Sequence, residues 1–153
     1  EAVARELLQH RNLMVVTNNI NVANILVAND SCEIVLTGGV LRRVDGGLVG
    51  NLTIATIEQF KFDIAVIGCS AMDQDGDFLD FDLQEVNVSR TILAQARQAY
   101  LVVDHSKFQR SAPARIASLE QVDKFFTDQP LSADLARRCQ EWGTEVFLPQ
   151  RAG

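Results

Sequence analysis

Short apolar runs, each halted by a polar turn and parted from the next by an amphipathic segment, constrain this chain more than any other feature of its sequence. The runs are Leu13–Val16, Glu33–Leu36, Asp63–Ile67, Tyr100–Val103, Lys124–Phe126 and Glu145–Leu148. Strands buried on both faces of a sheet read as unbroken apolar stretches. Their alternation with helices predicts an α/β fold with a mostly parallel, doubly wound sheet. A length of 153 residues suits one domain with a real core.

The segments between the runs carry helix and turn signals. Glu1–Gln9 has Val3, Leu7 and Leu8 on one face but no N-cap residue before it, so the chain reads as cut there. Thr17-Asn18-Asn19 leads into a helix through Val22, Ala23, Leu26 and Val27. Val40-Leu41 and Leu48-Val49 flank Asp45-Gly46-Gly47, a strong hairpin signal. Asn51 is expected to cap a helix with Ile54, Ile57 and Phe60 on its apolar face. Asp73–Asp77 reads as a polar turn, with Phe78-Leu79 extended after it. Asp82-Leu83-Gln84-Glu85 fits a capping box opening a long helix through Leu83, Val86, Leu93 and Ala96. Pro113 marks residues 112–118 as loop. Leu119 and Val122 fit one helical turn. Ser132 caps a last helix through Leu135, Ala136 and Cys139, with Gly143 as its C′ residue.

Composition removes several functional classes. The net charge of −6 opposes nucleic-acid binding by this chain, which needs basic patches. No apolar run reaches membrane-spanning length. Cys32, Cys69 and Cys139 are odd in number and show no CxxC spacing, which predicts free thiols in a reducing cytoplasm. With two histidines and no clustered ligands, neither a metal site nor a cofactor is implied. The sequence contains no GxGxxG, P-loop or nucleophile elbow. Asp104, His105 and Ser106 are triad residue types, but adjacency in sequence is not triad geometry. Asp73, Asp75 and Gly76 resemble part of a calcium loop, yet Ala71 holds the first ligand position, so a hairpin turn is expected.

Strand ends carry the chemistry. Thr17-Asn18-Asn19, Thr37-Gly38-Gly39, Gly68-Cys69-Ser70 and Asp104-His105-Ser106-Lys107 each follow an apolar run. Parallel strands present their carboxyl ends on one edge, where α/β sheets bind ligands. Hydroxyls, amides, backbone N–H groups and the Lys107 ammonium suit a small hydroxylated anion such as a sugar phosphate. Each tip taken singly is an ordinary turn. Asp82 and Glu85 are either helix-capping carboxylates or ligand-binding groups, Glu85 also being a candidate base. His105 is a turn residue that could sense pH or contact a phosphate.

The ordered set Val16-Thr17-Asn18-Asn19, Leu36-Thr37-Gly38-Gly39-Val40-Leu41-Arg42, Asp45-Gly46-Gly47-Leu48-Val49-Gly50, Asp82-x-x-Glu85 and Asp104-His105-Ser106-Lys107-Phe108 resembles the C-terminal sensor domain of DeoR-family bacterial transcriptional regulators. Asn19-x-Asn21-Val22-Ala23-Asn24 and Leu79-Asp80-Phe81-Asp82 are most similar to members that answer to glycerol 3-phosphate. The resemblance implies the fold of the sugar-phosphate isomerases and CoA transferases. It implies a homo-oligomeric effector-sensing domain over residues 1–153 that binds a phosphorylated sugar or polyol. DNA would be bound only through an upstream winged helix-turn-helix. Thr17, Asn18, Asn19, Thr37, Gly38, Gly39, Gly68, Glu85 and Lys107 would line the effector site. The family carries a further strand and an Asp-x-Gly-Thr-Thr-like phosphate loop ahead of the helix near Glu1. On this resemblance the domain is N-terminally truncated, its sheet is interrupted or rearranged or has the missing strand replaced by another molecule, and its effector binding is weak. A sugar-phosphate isomerase with Glu85 as base is the alternative function.

Overall fold

A computed structural model describes residues 1–108 and 110–149. They form two compact units, residues 1–60 and the residues from Lys61 on.

The first unit opens with helix α1 (Ala2–Leu7) and strand β1 (Met14–Thr17). Helix α2 (Ile20–Leu26) follows, capped by Asn19, whose side chain accepts from the Asn21 and Val22 N–H groups. Strand β2 (Glu33–Leu36) pairs parallel with β1, Thr17 opposite Leu36. The expected hairpin is present: β3 (Val40–Leu41) pairs antiparallel with β4 (Leu48–Val49). Helix α3 (Asn51–Ile57) begins one residue earlier than the capping reading required. Gly50 takes the N-cap position and no side chain caps the helix.

The second unit contains a four-stranded parallel sheet in the order β11-β10-β8-β5. Its strands are β5 (Phe62–Ile67), β8 (Ala96–Val102), β10 (Lys124–Phe126) and β11 (Glu145–Phe147). The order advances one strand at a time in one direction. Between β5 and β8 lie the hairpin strands β6 (Ala71–Met72) and β7 (Asp77–Asp80), then helix α4 (Leu83–Ala94). Helix α5 (Ala133–Trp142) joins β10 to β11, capped by Ser132 and ended by Gly143 at φ 79°, as the sequence predicts.

The parallel strands fall in two sheets, β1-β2 in the first unit and β11-β10-β8-β5 in the second, in keeping with the interruption expected of the sheet. Two expectations need correction. Residues 114–118 are a strand, β9 (Ala114–Ser118), which pairs antiparallel with β7 and makes a three-stranded sheet β6-β7-β9. Of its five residues only Ile116 is a strong strand former, the rest being small or polar, so pairing with β7 decides its conformation. The α4 reading also shifts: Ala96 opens β8, and Leu83 is 68% exposed, while Val86 and Val88 are buried. Asp82 does cap α4, accepting from the Gln84 N–H at 2.7 Å.

The core of the second unit lies on one face of the four-stranded sheet. Ile67, Leu101 and Phe125 pack there with Phe78, Val86, Ile116, Leu119, Leu135 and Cys139. Cys69 and Trp142 pack against its margin. The opposite face is not buried: Ile64 is 48% exposed and Val66 45%. Phe126 and Phe147 stack on it with centroids 4.9 Å apart, and Tyr100 lies tilted against Phe126 at 5.7 Å. An apolar run therefore marked a strand correctly here but overstated its burial.

Candidate functional site

Each unit gathers its own share of the expected residues. In the first unit, β1 and β2 run parallel in register, so Thr17-Asn18-Asn19 and Thr37-Gly38-Gly39 leave the same edge. Most of their polar groups already have partners. Thr17 Oγ1 accepts from the Asn19 N–H at 3.1 Å. Asn18 Nδ2 donates to the Leu48 carbonyl at 3.0 Å. Asn19 caps α2 and donates through Nδ2 to the Asp45 carbonyl at 3.1 Å. Gly38 accepts from the Thr53 hydroxyl. Gly39, at φ 134°, is required by packing, because a Cβ there would meet Thr53. These groups brace the hairpin and α3 against the strand tips.

Thr37 is the exception. It is 3% exposed, and its hydroxyl has no hydrogen-bond partner among the described residues. Buried polar groups are nearly always paired, so such a hydroxyl marks a place where water or ligand completes the set.

In the second unit, β5 and β8 pair with Ile67 opposite Leu101, so Gly68 and the Asp104–Lys107 turn leave the same edge. A Cβ on Gly68 would sit 3.6 Å from the Val102 carbonyl, an ordinary contact, so packing does not demand glycine there. Residues 105–107 form a 3-10 turn capped by Asp104, whose carboxylate accepts from both the N–H and the hydroxyl of Ser106. Those bonds hold the Asp104 carboxyl below its usual range. Lys107 closes the 3-10 turn, three residues after Asp104. It makes no ion pair among the described residues. Burial pushes the Cys69 thiol up to about 12, so it is a neutral packing group there. Glu85 stands in the first turn of α4. That helix returns the chain to the start of β8, so its N-terminus lies toward the carboxyl edge.

Sequence reasoning missed two acidic partners at these strand ends. Asp128, just beyond β10, accepts from the His105 N–H at 2.7 Å and lies 2.8 Å from His105 Nδ1. His105 holds the Asp128 carboxyl below its usual range. Asp80 accepts from the Ser70 hydroxyl at 3.1 Å. The partners are 23 and 10 residues apart, beyond the reach of local patterns. An acid at each strand or hairpin end was the only signal.

A cavity of about 600 Å³ lies on the amino-terminal side of the four-stranded sheet, lined in part by Arg90, Arg97, Arg115 and Asp123. None of the expected site residues line it. Its arginines are engaged: Arg115 with Asp77 at 3.1 Å, Arg97 with Asp63 at 3.6 Å, and Arg90 with the Arg115 and Ile116 carbonyls. No group of three or more metal-ligating side chains occurs among the described residues. No helix among them is long and apolar enough to cross a membrane.

An α/β unit whose parallel strands end in hydroxyls, one cation and a hydrogen-bonded 3-10 turn fits the family the motifs resemble. The DeoR C terminal sensor domain family matches residues 1–129, and the chain belongs to it. The chain is 48% identical over 130 residues to the glycerol-3-phosphate regulon repressor of Escherichia coli K12, covering 85% of this chain and 52% of that protein. It is 49% identical over 127 residues to the repressor of the same name from Haemophilus influenzae, covering 83% and 49%. It is 39% identical over 150 residues to the E. coli HTH-type transcriptional repressor CsqR, covering 98% and 58%. The chain thus spans about half the length of the curated relatives it matches.

Proposed function

We propose that this chain is the effector-binding and oligomerisation domain of a bacterial, cytoplasmic transcriptional repressor that senses a phosphorylated sugar or polyol. The fold we assign is that of the sugar-phosphate isomerases and CoA transferases. Glycerol 3-phosphate is the effector this reading names, on the strength of what two relatives are called. DNA is then the business of a winged helix-turn-helix outside this sequence. The net charge of −6 supports that division.

The observation that carries the reading is Lys107, an ammonium without an ion-pair partner among the described residues, on the turn that leaves the sheet beside Gly68. A phosphate ester supplies the missing charge. In the first unit, taken by itself, the buried and unpartnered Thr37 hydroxyl marks a place where water or a ligand would complete the hydrogen bonding.

The test is thermal stabilisation of the chain by glycerol 3-phosphate, with glycerol as control. A ligand that binds only the native state stabilises by about 2.7 kcal/mol at a hundred times its Kd. Stabilisation by the ester, absent with glycerol and reduced at least severalfold in Lys107→Ala, is the expected result. Equal response of the wild type and Lys107→Ala removes the site. Turnover of a phosphorylated aldose or ketose that disappears in Glu85→Gln would replace the sensor with an isomerase.

A further inference from the structure

The 3-10 turn that carries Lys107 is fastened by Asp128 in an uncommon way. One carboxylate oxygen accepts from the His105 backbone N–H and the other meets His105 Nδ1, at 2.7 and 2.8 Å. The two contacts fix both the backbone and the imidazole plane. A carboxylate held in its ionised form requires the proton on Nδ1. The other ring nitrogen, Nε2, then bears a lone pair in the neutral ring and an N–H in the imidazolium. It has no partner among the described residues, and the His105 side chain is 58% exposed. Among the described residues Asp128 meets this ring from the end of β10, and Asp104 and Lys107 are the other charged residues of its own turn. Asp104 is occupied by Ser106.

Resting on the sensor reading above, we propose that His105 is a second phosphate contact beside Lys107, with Asp128 as its positioning residue. The imidazolium donates from Nε2 to a phosphate oxygen of the effector. Asp128 holds the Nδ1 proton and aims the ring. Carboxylate–imidazole pairs act this way elsewhere in proteins. Lys107 supplies a mobile point charge, whereas His105 supplies a donor of set direction. Together they tell a phosphate ester from an unphosphorylated polyol.

The proposal makes affinity depend on pH through one residue. A charge-assisted hydrogen bond is worth about tenfold in affinity or more. Binding of glycerol 3-phosphate to wild type and His105→Gln is to be compared at pH 6.5 and pH 8.5. Taking the ratio at each pH cancels the ionisation of the phosphate itself. The expected ratio is about tenfold at pH 6.5 and within about twofold at pH 8.5. Asp128→Asn should give a similar loss at pH 6.5 and add nothing in the His105→Gln background. A ratio near one at both pH values, with Lys107→Ala still abolishing binding, overturns the His105 assignment and leaves the sensor reading standing. A wild type that responds neither to glycerol 3-phosphate nor to inorganic phosphate overturns both. Ring ¹⁵N resonances of the wild type provide a check that needs no variant. Phosphate should shift Nε2 of His105 and not that of His10, and a His105 ring that ignores phosphate overturns the proposal.

Discussion

The Thr53 hydroxyl occupies the space that a side chain on Gly39 would need. A Cβ built on Gly39 would lie 2.1 Å from Thr53 Oγ1 and 2.8 Å from the Val49 carbonyl oxygen. The same hydroxyl donates to the Gly38 carbonyl. One buried threonine of α3 thus ties down the loop after β2 and excludes any larger residue from it.

Gly39→Ala should therefore destabilise the chain by about 2–4 kcal/mol in urea unfolding, through both the clash and the positive φ. Adding Thr53→Ala should return part of that loss by clearing the nearer contact. A single variant within about 0.5 kcal/mol of wild type would show that the loop moves aside without cost.

Thr37 and Thr144 are both buried threonines, and their valine variants should have opposite signs. Thr144 Oγ1 donates to the Leu119 carbonyl at 2.7 Å, which also accepts from the Val122 N–H at 3.1 Å, so Thr144→Val removes one of two hydrogen bonds to that acceptor and should cost about 0.5–1.5 kcal/mol. Thr37 has no such partner, so Thr37→Val should leave the unliganded chain as stable or up to about 1 kcal/mol more stable. Destabilisation of the unliganded Thr37→Val chain comparable to that of Thr144→Val would mean that the Thr37 hydroxyl is paired within the protein.

Cys69 should resist alkylation. Its thiol titrates near 12 because burial disfavours the thiolate, the reactive form. Iodoacetamide at pH 8 should modify Cys69 in the folded chain at least about a hundredfold more slowly than in the urea-unfolded chain. Rapid labelling in the native state would show that the end of β5 opens readily.

Acid should loosen the Asp104–Lys107 turn. Asp104 and Asp128 both have folded-state pKa values below their ordinary value, chiefly through hydrogen bonds from the Ser106 and His105 side chains. Groups shifted down contribute stability above their unfolded pKa, about 3.9, and lose it as pH falls through the lower folded values. Carboxyl ¹³C titrations should place both midpoints below 3.8, and Asp128→Asn should leave the Asp104 midpoint depressed. A midpoint at the ordinary value for either group would show that its hydrogen bonds do not persist in solution.

What was legible in the sequence was local. The β3-β4 hairpin followed from Asp45-Gly46-Gly47, because the turn needs residues with the right backbone freedom. The caps at Asn19, Asp82 and Ser132, and Gly143 at the end of α5, followed from side-chain reach over two or three residues. The Asp104-His105-Ser106-Lys107 stretch announced its own turn and, with the other strand tips, the family. Tertiary structure decided what depends on pairing across distance. It made β9 a strand through β7, divided the parallel strands between two sheets, exposed Ile64 and Val66, and spent Asn18, Asn19 and Gly39 on bracing. It also brought Asp128 to His105. Hydrogen bonds between distant backbones and the final solvent exposure of a face are set by which segments meet, and no short window of sequence contains both partners.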